Sequence, residues 1–521
     1  MSNDAILSAL IPAFTSGTGI PSLAQLLVDG GDSRITLDTY GVNKYGCTVE
    51  PQSTQDSSFA FGSATASTIS QRGFAAANRV YQKIVQAYRD ETQSSQSSLY
   101  SLYEQEMQSL RQELKQLCQT GDAVDVAFAA SGTDLHLIVS QLFSGASSSP
   151  SMIVMVEAGE TGSSVPAALQ GLHFSDCAAL GASVHPGQQV GQVGVSELVN
   201  VALREADGKP RAAEDIDREI EALVTQACHH NKRVLLVLAD VTKTGMIGPS
   251  VQCALALRNT FPDQLEVLVD ACQFRLTNAT LNAYLDQQFL VAVTGSKFIS
   301  GPSFSGALFF PPEAAIRYRQ QTAPAGLYAY SSRADWPASW TGMDGLQKKA
   351  NVGLLVRWVA AMAELRAFRS LSDDAINQFV QAFRRAVLTY FDAHSGLTLL
   401  PVSVPDRQVL ATTPGWDQWP TIFPFVLHHA SGEPLSRDQT MLVYRRLQNE
   451  KRMQVGQPVT CGVCQQIPVS ALRLCLSARL IVAALSDVTD IRRGGNKADE
   501  IIAKAMAVLD AARQLSLLLD S

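Results

Sequence analysis

The chain has 521 residues, of which 46% are hydrophobic and 17% charged, and its formal net charge is −7. This composition is typical of a folded globular protein, and the length indicates two to four domains. Scattered lysines and arginines argue against nucleic acid or an anionic membrane as a partner, and no apolar run reaches the roughly 18 residues that a membrane span needs.

The first 60 residues are rich in Gly, Pro, Asp and Asn and are predicted to form an arm that packs on the body or reaches a second subunit. Within this arm, residues 41–51 have the composition of a site lid or of a linker. Beyond it, apolar runs alternate with helical periodicity, and serine-rich stretches at 92–98 and 144–151 indicate surface loops. The predicted strands are 124–129, 152–157, 233–239, 265–270, 290–294 and 306–310, and the predicted helices are 131–143 and 216–227.

Near-continuous Val, Leu and Ile runs predict strands covered on both faces, as in a largely parallel sheet wrapped by helices. We assign residues 61–334 to this large α/β domain. The pattern changes near residue 335, and residues 335–521 are predicted to form a smaller α+β domain. Its predicted elements are helices at 346–368, 372–394 and 497–519 and strands at 397–402, 421–427 and 471–476.

Nine cysteines at irregular spacing argue against a disulfide framework and favour a reducing compartment. No basic residue precedes Arg34, so the N-terminus lacks the charged segment of a secretory signal. We therefore expect a cytoplasmic protein. Cys461 and Cys464 form one CxxC pair, but a second pair that would complete a zinc site is missing, so we expect no metal and favour an incidental role for the pair.

A Ser-Gly-Thr-Asp turn follows the first predicted strand and opens a helix. Backbone N–H groups at a helix start, together with the positive end of the helix dipole, attract an anion. Gly132 lets a ligand approach the backbone, and the hydroxyls of Ser131 and Thr133 add donors. The turn predicts a phosphate site, although the same residue types also favour the N-cap position without a ligand.

Two further segments carry candidate site residues. Asp270 ends a buried-strand pattern in VLVDACQFR, where a carboxylate is costly unless it meets a cation or hydrogen-bond donors, and Gln273 follows three residues later. Lys297 lies in TGSKFISGP, a loop between two apolar strands, with Thr294 and Ser296 beside it. A lysine in such a setting loses part of its preference for the charged form and can act as a nucleophile or base. Alternatively, Asp270 caps a turn at the end of the strand and Lys297 is a solvated surface residue.

An acid at the end of one strand and a lysine after the next is the arrangement that holds pyridoxal 5′-phosphate (PLP). The lysine forms the Schiff base, and the carboxylate keeps the pyridine nitrogen protonated. In this order the motifs resemble fold-type-I PLP-dependent enzymes, especially the class V aminotransferase and cysteine desulfurase group. That group has a G-T-[TD]-[ED] turn, a D-[GA]-[AC]-Q segment and a lysine loop that continues into G-P. This chain has GTD at 132–134, DACQ at 270–273 and SKFISGPSFSGAL at 296–308.

The resemblance covers about residues 60–310. It implies an α/β fold of type I, with a mostly parallel seven-stranded-type sheet in the large domain and a small C-terminal α+β domain. It also implies a homodimer with the active site between subunits. Lys297 would carry PLP, Asp270 would pair with the ring nitrogen and Gln273 would meet the ring hydroxyl. The predicted phosphate site comprises Ser131, Gly132, Thr133, Thr294 and Ser296.

Arg473 in SALRLCLS matches the arginine with which this group binds the substrate carboxylate, although Cys475 replaces the serine of the pattern. A guanidinium binds a carboxylate through two parallel hydrogen bonds. Arg479, Arg357 and Arg275 are the competing candidates for this role.

Several positions differ from the desulfurase-like members. Ser296 stands where those proteins have a histidine before the lysine, Thr161 stands where a histidine lies over the ring, and Thr242 replaces an asparagine. His136 and His173 are interpreted as packing or surface residues. These differences weaken a desulfurase interpretation, which also requires a mobile cysteine nucleophile. The candidates for that nucleophile are Cys461 and Cys464.

The predicted substrate is an amino acid that reacts through an external aldimine, with Lys297 moving a proton at the α-carbon. We favour amino-group transfer. A PLP-dependent lyase that cleaves a C–S bond or catalyses β-elimination is the alternative. A decarboxylase ranks third, because this loop has Ser-Lys in place of His-Lys. A PLP-binding protein without turnover stays open.

Overall fold

The computed structural model describes residues 19–51, 59–91, 98–146, 149–191, 196–464, 467–486 and 497–519. The strands in these ranges are β1 (Ala60–Phe61), β2 (Asp125–Ala129), β3 (Ser151–Val156), β4 (Glu197–Val201), β5 (Arg233–Asp240), β6 (Ile247–Gly248), β7 (Leu265–Ala271), β8 (Leu290–Thr294), β9 (Gly306–Phe310), β10 (Leu397–Leu399), β11 (Ile422–Leu427), β12 (Gln454–Cys464) and β13 (Ile467–Cys475). The α-helices are Leu23–Leu27, Gln71–Glu91, Ser98–Leu117, Gly132–Gly145, Val165–Leu169, Ala213–His229, Val251–Thr260, Asn278–Asp286, Pro312–Tyr318, Val352–Arg369, Asp373–Ala393, Arg437–Lys451, Ala478–Leu485 and Lys497–Leu517.

The large sheet has the order β2-β9-β8-β7-β5-β3-β4, and β6 pairs with β5 at its end. The neighbours β8, β7, β5, β3 and β4 run parallel, whereas β9 is antiparallel to both β8 and β2. Strands β7, β8 and β9 are buried at every position because helices cover both faces, as their apolar runs predict. The predicted mostly parallel α/β sheet is confirmed.

The second sheet has the order β1-β12-β13-β11-β10. Its β10, β11, β12 and β13 pair antiparallel, and β1 joins β12 in parallel. β1 lies at the predicted boundary between the arm and the large domain, yet it adds a strand to the sheet of the C-terminal region. The β12–β13 hairpin therefore begins next to the start of the large domain.

The described part of the arm, residues 19–51, packs on the body of the same chain. Leu26 is fully buried. Arg357, from helix Val352–Arg369, donates hydrogen bonds to the carbonyl oxygens of Leu27 at 3.3 Å and Gly30 at 2.8 Å. A buried guanidinium bound to several backbone carbonyls of one segment fixes that segment against the helix.

The strand predictions at 290–294 and 306–310 match β8 and β9 at both ends, and the helix predicted at 372–394 is found at Asp373–Ala393. The serine-rich segment 92–97 lies outside the described residues. Within the described ranges, none of the helices combines the length and apolar character needed to cross a membrane.

Candidate functional site

A cavity opens at the carboxyl ends of β5, β7 and β8. Ligands of open α/β sheets bind at this edge, because the loops that follow parallel strands meet there. Asp270 pairs in register with Ala292, so the acid of β7 and the loop after β8 share one edge. The cavity wall combines the arm (Arg34, Lys44, Tyr45), the large domain (Ser131, Thr133, Asp270, Gln273, Lys297) and β12–β13 (Gln457, Arg473).

Asp270 is 8% exposed, and its Oδ1 accepts a hydrogen bond from the backbone N–H of Cys272 at 3.1 Å. His136 Nε2 lies 3.3 Å from its Oδ2. Burial alone would raise the pKa of Asp270, but the nearby charges of His136 and Lys297 hold it well below its ordinary value. The carboxylate is therefore ionised and available to a cationic N–H group.

His136 is the neighbour of Asp270 that the sequence interpretation missed. It is 1% exposed, and its Nδ1 lies 2.7 Å from the carbonyl oxygen of Gly132. Because a carbonyl only accepts, Nδ1 carries a proton, and Nε2 is left facing the carboxylate. The 3.3 Å contact lacks hydrogen-bond alignment, although it lies within ion-pair distance. His173, by contrast, stacks on Tyr330 outside the cavity wall.

Ser131 is the N-cap of helix Gly132–Gly145, as the sequence predicts. Its hydroxyl donates to the carboxylate of Asp134 and accepts from the Asp134 N–H at 3.3 Å, so this donor is already engaged. The N–H groups of Gly132 and Thr133 occupy the first helical positions, where no intrahelical acceptor exists. A Cβ on Gly132 would lie 2.9 Å from Cys272 Sγ, so only glycine lets the turn pack this closely against the loop after β7.

Arg34 from the arm adds a cation to this turn. Its guanidinium lies 3.2 Å from Thr133 Oγ1 and 3.4 Å from Ser131 Oγ. Asp32 pairs with it at 2.5 Å, and the ring of Phe304 lies beneath it with its centroid 4.9 Å away. No local sequence pattern marks Arg34 as a site residue, because it approaches the turn across 97 residues of chain.

Lys297, Thr294 and Ser296 all line the cavity. Thr294 Oγ1 donates to the carbonyl oxygen of Cys272 at 2.7 Å, so its proton is not available to a phosphate in this arrangement. For Lys297 Nζ we find no hydrogen-bond partner in the described part of the chain. Its amine is therefore free to react with a ligand in the cavity.

Gln273 is 2% exposed, and its Nε2 donates to the carbonyl oxygen of Ala64 at 3.1 Å. Its Oε1 is buried without a partner among the described residues. A buried amide oxygen without a donor carries a desolvation cost, which a hydroxyl group of a ligand would remove.

Arg473 on β13 points into the cavity and is 2% exposed. Its hydrogen bonds go to the Gln457 carbonyl oxygen at 2.7 Å, to Thr65 Oγ1 at 2.8 Å and to the Lys243 carbonyl oxygen at 3.4 Å. Across the described ranges no carboxylate lies within ion-pair distance of it. A Cβ on Gly456 would approach the Arg473 side chain to 2.9 Å, so the glycine provides the space that the guanidinium occupies.

The three competing arginines do not line the cavity. Arg275 donates to Thr421 Oγ1 at 2.8 Å and to Ser63 Oγ at 3.0 Å, and so joins the two sheets. Arg479 donates to the carbonyl oxygen of Thr68 at 2.9 Å, and Arg357 holds the arm. Their buried hydrogen bonds are structural, which leaves Arg473 as the one of these four arginines that a substrate in the cavity would meet.

Thr161 and Thr242, which stand where the desulfurase-like members have a histidine and an asparagine, both line the cavity. Thr161 Oγ1 is buried without a partner in the described structure, and it cannot stack on a ring as a histidine would. Burial raises the pKa of the Cys272 thiol well above its ordinary value and that of Cys461, which lies outside the cavity wall, to about 11. The side chain of Cys464 lies outside the described residues.

No group of three or more acidic, Cys or His side chains among the described residues could hold a metal ion.

No protein-family model and no curated protein matches this sequence. The solved structures that are similar to it include three with a TM-score of 0.50 each. The cysteine desulfurase CsdA from Escherichia coli is 12% identical, over 89% of this chain and 96% of that chain. A NifS-like protein is 12% identical over 87% and 99%, and a variant of C-DES with glycine covalently linked to its PLP cofactor is 14% identical over 86% and 96%. The fold is that of fold-type-I PLP-dependent enzymes, which confirms the resemblance at the level of fold.

Proposed function

We propose that this chain binds PLP through Lys297 and acts on an α-amino acid. The observation that carries the proposal is that an ionised, buried Asp270 and Lys297, whose amine has no hydrogen-bond partner among the described residues, line one cavity at the same edge of a parallel sheet. Such a pair suits a ligand that has a basic ring nitrogen at one position and an aldehyde at another.

The remaining residues fit the same group. The N–H groups of Gly132 and Thr133, with Arg34 beside them, provide donors and positive charge for a phosphate. Gln273 Oε1 has no donor among the described residues, and the ring hydroxyl would provide one. One cavity is thus lined by hydrogen-bond donors for a phosphate, an acceptor for the ring hydroxyl, a carboxylate for the ring nitrogen and an amine for the aldehyde.

PLP, when bound, supplies an electron sink for a carbanion. Asp270, ionised because its pKa is held low, would pair with a protonated ring nitrogen. Lys297, whose amine would hold the cofactor, would move a proton at the substrate α-carbon. Arg473, a buried cation that lines the cavity, would bind the α-carboxylate and so set the orientation of the substrate. Walls from the arm and from β12–β13 reduce the access of water.

Among reactions that begin in this way we propose amino-group transfer. A desulfurase mechanism needs a thiolate near the substrate, but burial raises the pKa of Cys272, the one cysteine that lines the described cavity. A lyase is the second candidate, and the similarity of fold to the cysteine desulfurase CsdA favours it. Elimination would use the same proton transfer by Lys297.

The experiment that tests the proposal is product analysis by mass spectrometry. PLP-loaded protein is incubated with pooled amino acids and a 2-oxo acid. Transfer predicts a new amino acid and a new 2-oxo acid in equal amounts, whereas a lyase releases ammonia or sulfide without a new amino acid.

Lys297→Ala should lower turnover by a factor of about 1,000 or more, because it removes the group that carries the proton. Lys348→Ala removes an exposed lysine outside the cavity and should leave turnover unchanged. Full activity of Lys297→Ala, or loaded wild-type protein that yields no product from any amino acid, would contradict the proposed function.

A further inference from the structure

A second basic side chain, that of Lys243, lines the cavity near Arg473. It belongs to the turn that follows β5, and its Nζ lies 3.3 Å from the Gly159 carbonyl oxygen and 3.5 Å from that of Ala158. These are long contacts to neutral acceptors. Within the described ranges no carboxylate lies at ion-pair distance from Lys243.

The acid of the neighbouring segment is already neutralised. Glu160 accepts from Arg204 Nε at 2.8 Å and from Thr244 Oγ1 at 2.7 Å. Glu160 therefore has a closer cation than Lys243, and its oxygens are bound to other donors. The ammonium of Lys243 therefore lines the cavity without an anionic partner among the described residues.

A partly buried ammonium without an anionic partner raises the free energy of the protein until an anion binds. Burial first, and then the positive charges of Arg473 and Lys297, lower the pKa of Lys243 to about 8. The buried Arg473 and the partly buried Lys243 lie on one wall and repel each other, and a ligand with two anionic groups would relieve that repulsion. Arg473 donates to the backbone carbonyl of Lys243 at 3.4 Å, so both cations border the same part of the cavity.

We propose that Lys243 binds a second anionic group of the substrate, so that the preferred substrates are α-amino acids or 2-oxo acids whose side chain ends in a carboxylate. This inference rests on the proposed function, in which Arg473 binds the α-carboxylate. Lys44 also lines the cavity but is exposed, so water screens its charge and it contributes little selectivity.

The test uses succinate and butanoate, which have the same carbon number but two carboxylates and one. Their dissociation constants for the PLP-loaded protein are measured by titration calorimetry. Wild-type protein should bind succinate about tenfold more tightly than butanoate, or better. Lys243→Met should weaken succinate about tenfold and change butanoate less than twofold.

Lys348→Met removes the same charge outside the cavity and should alter neither affinity. Lys243→Gln is the second variant if the methionine variant fails to fold. Equal affinities for the two ligands in wild-type protein, or an equal loss for both in the Lys243 variants, would overturn the inference.

Borohydride labelling of Lys297 in the same samples separates this inference from the proposed function. If Lys297 is not labelled, the proposed function fails, whatever the two affinities are. If Lys297 is labelled but succinate binds no more tightly than butanoate, the proposed role of Lys243 is wrong and the proposed function stands.

Discussion

Asp270 keeps its charge in a buried position because of its neighbours. A buried carboxylate would ordinarily take up a proton, yet His136 and Lys297 hold the pKa of Asp270 low. His136 lines the cavity and lies against the acid, and its Nδ1 is fixed by the carbonyl oxygen of Gly132. We therefore regard His136 as a positioning residue that acts through Asp270.

Replacing His136 with Leu removes the side chain that lies 3.3 Å from Asp270 Oδ2, so the carboxylate would be held less firmly toward the ring nitrogen. PLP and pyridoxal, which share that nitrogen, should both bind about tenfold more weakly. Titration of the visible absorbance band of the apoprotein measures both constants. An affinity for PLP within twofold of wild type would show that His136 does not act in this way.

The charge on Lys243 predicts a dependence on pH. Arg473, Lys297, Glu160 and Asp270 act on this lysine, and together with burial they place its pKa at about 8. Lys243 is protonated below that pH, so the preference for succinate over butanoate should be full near pH 7 and should fall as the pH rises through 8. Lys243→Arg should retain the preference to higher pH, because a guanidinium stays charged. A preference that is flat from pH 7 to pH 9 in wild-type protein would contradict this assignment.

At the scale of elements, the arm is part of the cavity wall. Arg357 fixes its backbone and Asp32 orients Arg34 toward the turn that opens helix Gly132–Gly145. Lys44 and Tyr45, which fall in the segment predicted to be a lid or a linker, line the cavity. The contacts favour the lid interpretation.

Arg34→Met should weaken PLP about tenfold, because it removes a charge-assisted donor from the phosphate position. The affinity for pyridoxal, which lacks the phosphate, should change less than twofold. Arg385→Met, at an exposed position outside the cavity, is the matched control. Equal weakening of PLP and pyridoxal would place Arg34 outside the phosphate site.

Local sequence patterns predicted the elements whose environment is uniform along the strand. β8 and β9 are buried at every residue, so their apolar runs mark both ends. β4 is half-exposed, and β12 contains Gly and Pro and has shifts of register. Neither strand therefore shows a regular alternation of apolar and polar residues, and the sequence analysis predicted neither. Elements with mixed exposure are recognisable only from their pairing partners.

The site likewise contains residues that the local sequence indicates and residues that only the packing brings together. Asp270 and Lys297 lie at the ends of predicted strands, and strand order alone brings them to one edge. Arg34 and His136 reach the site through contacts that depend on how the arm and one helix pack, and nothing in their local sequence indicates this. The sequence could not decide which of four arginines would bind a substrate carboxylate, whereas the structure shows that Arg473 is the one of the four that lines the cavity.

At the scale of the whole molecule, one chain contributes three parts to the cavity: the arm, the large sheet and the β12–β13 hairpin. We propose that two such chains form a homodimer, as the resemblance to fold-type-I enzymes implies. Light scattering during size-exclusion chromatography should give the mass of two chains for the loaded protein. A one-chain mass at every concentration tested, with PLP fully bound, would contradict a dimeric enzyme.

The central claim is that the amine of Lys297 condenses with the aldehyde of PLP. Borohydride reduction of the PLP-loaded protein, followed by proteolysis and mass spectrometry, tests it most directly. The account predicts a pyridoxyl label on the peptide that contains Lys297 and no label on the peptide that contains Lys243. A label on another lysine, or none at all in protein that has retained PLP, would contradict it.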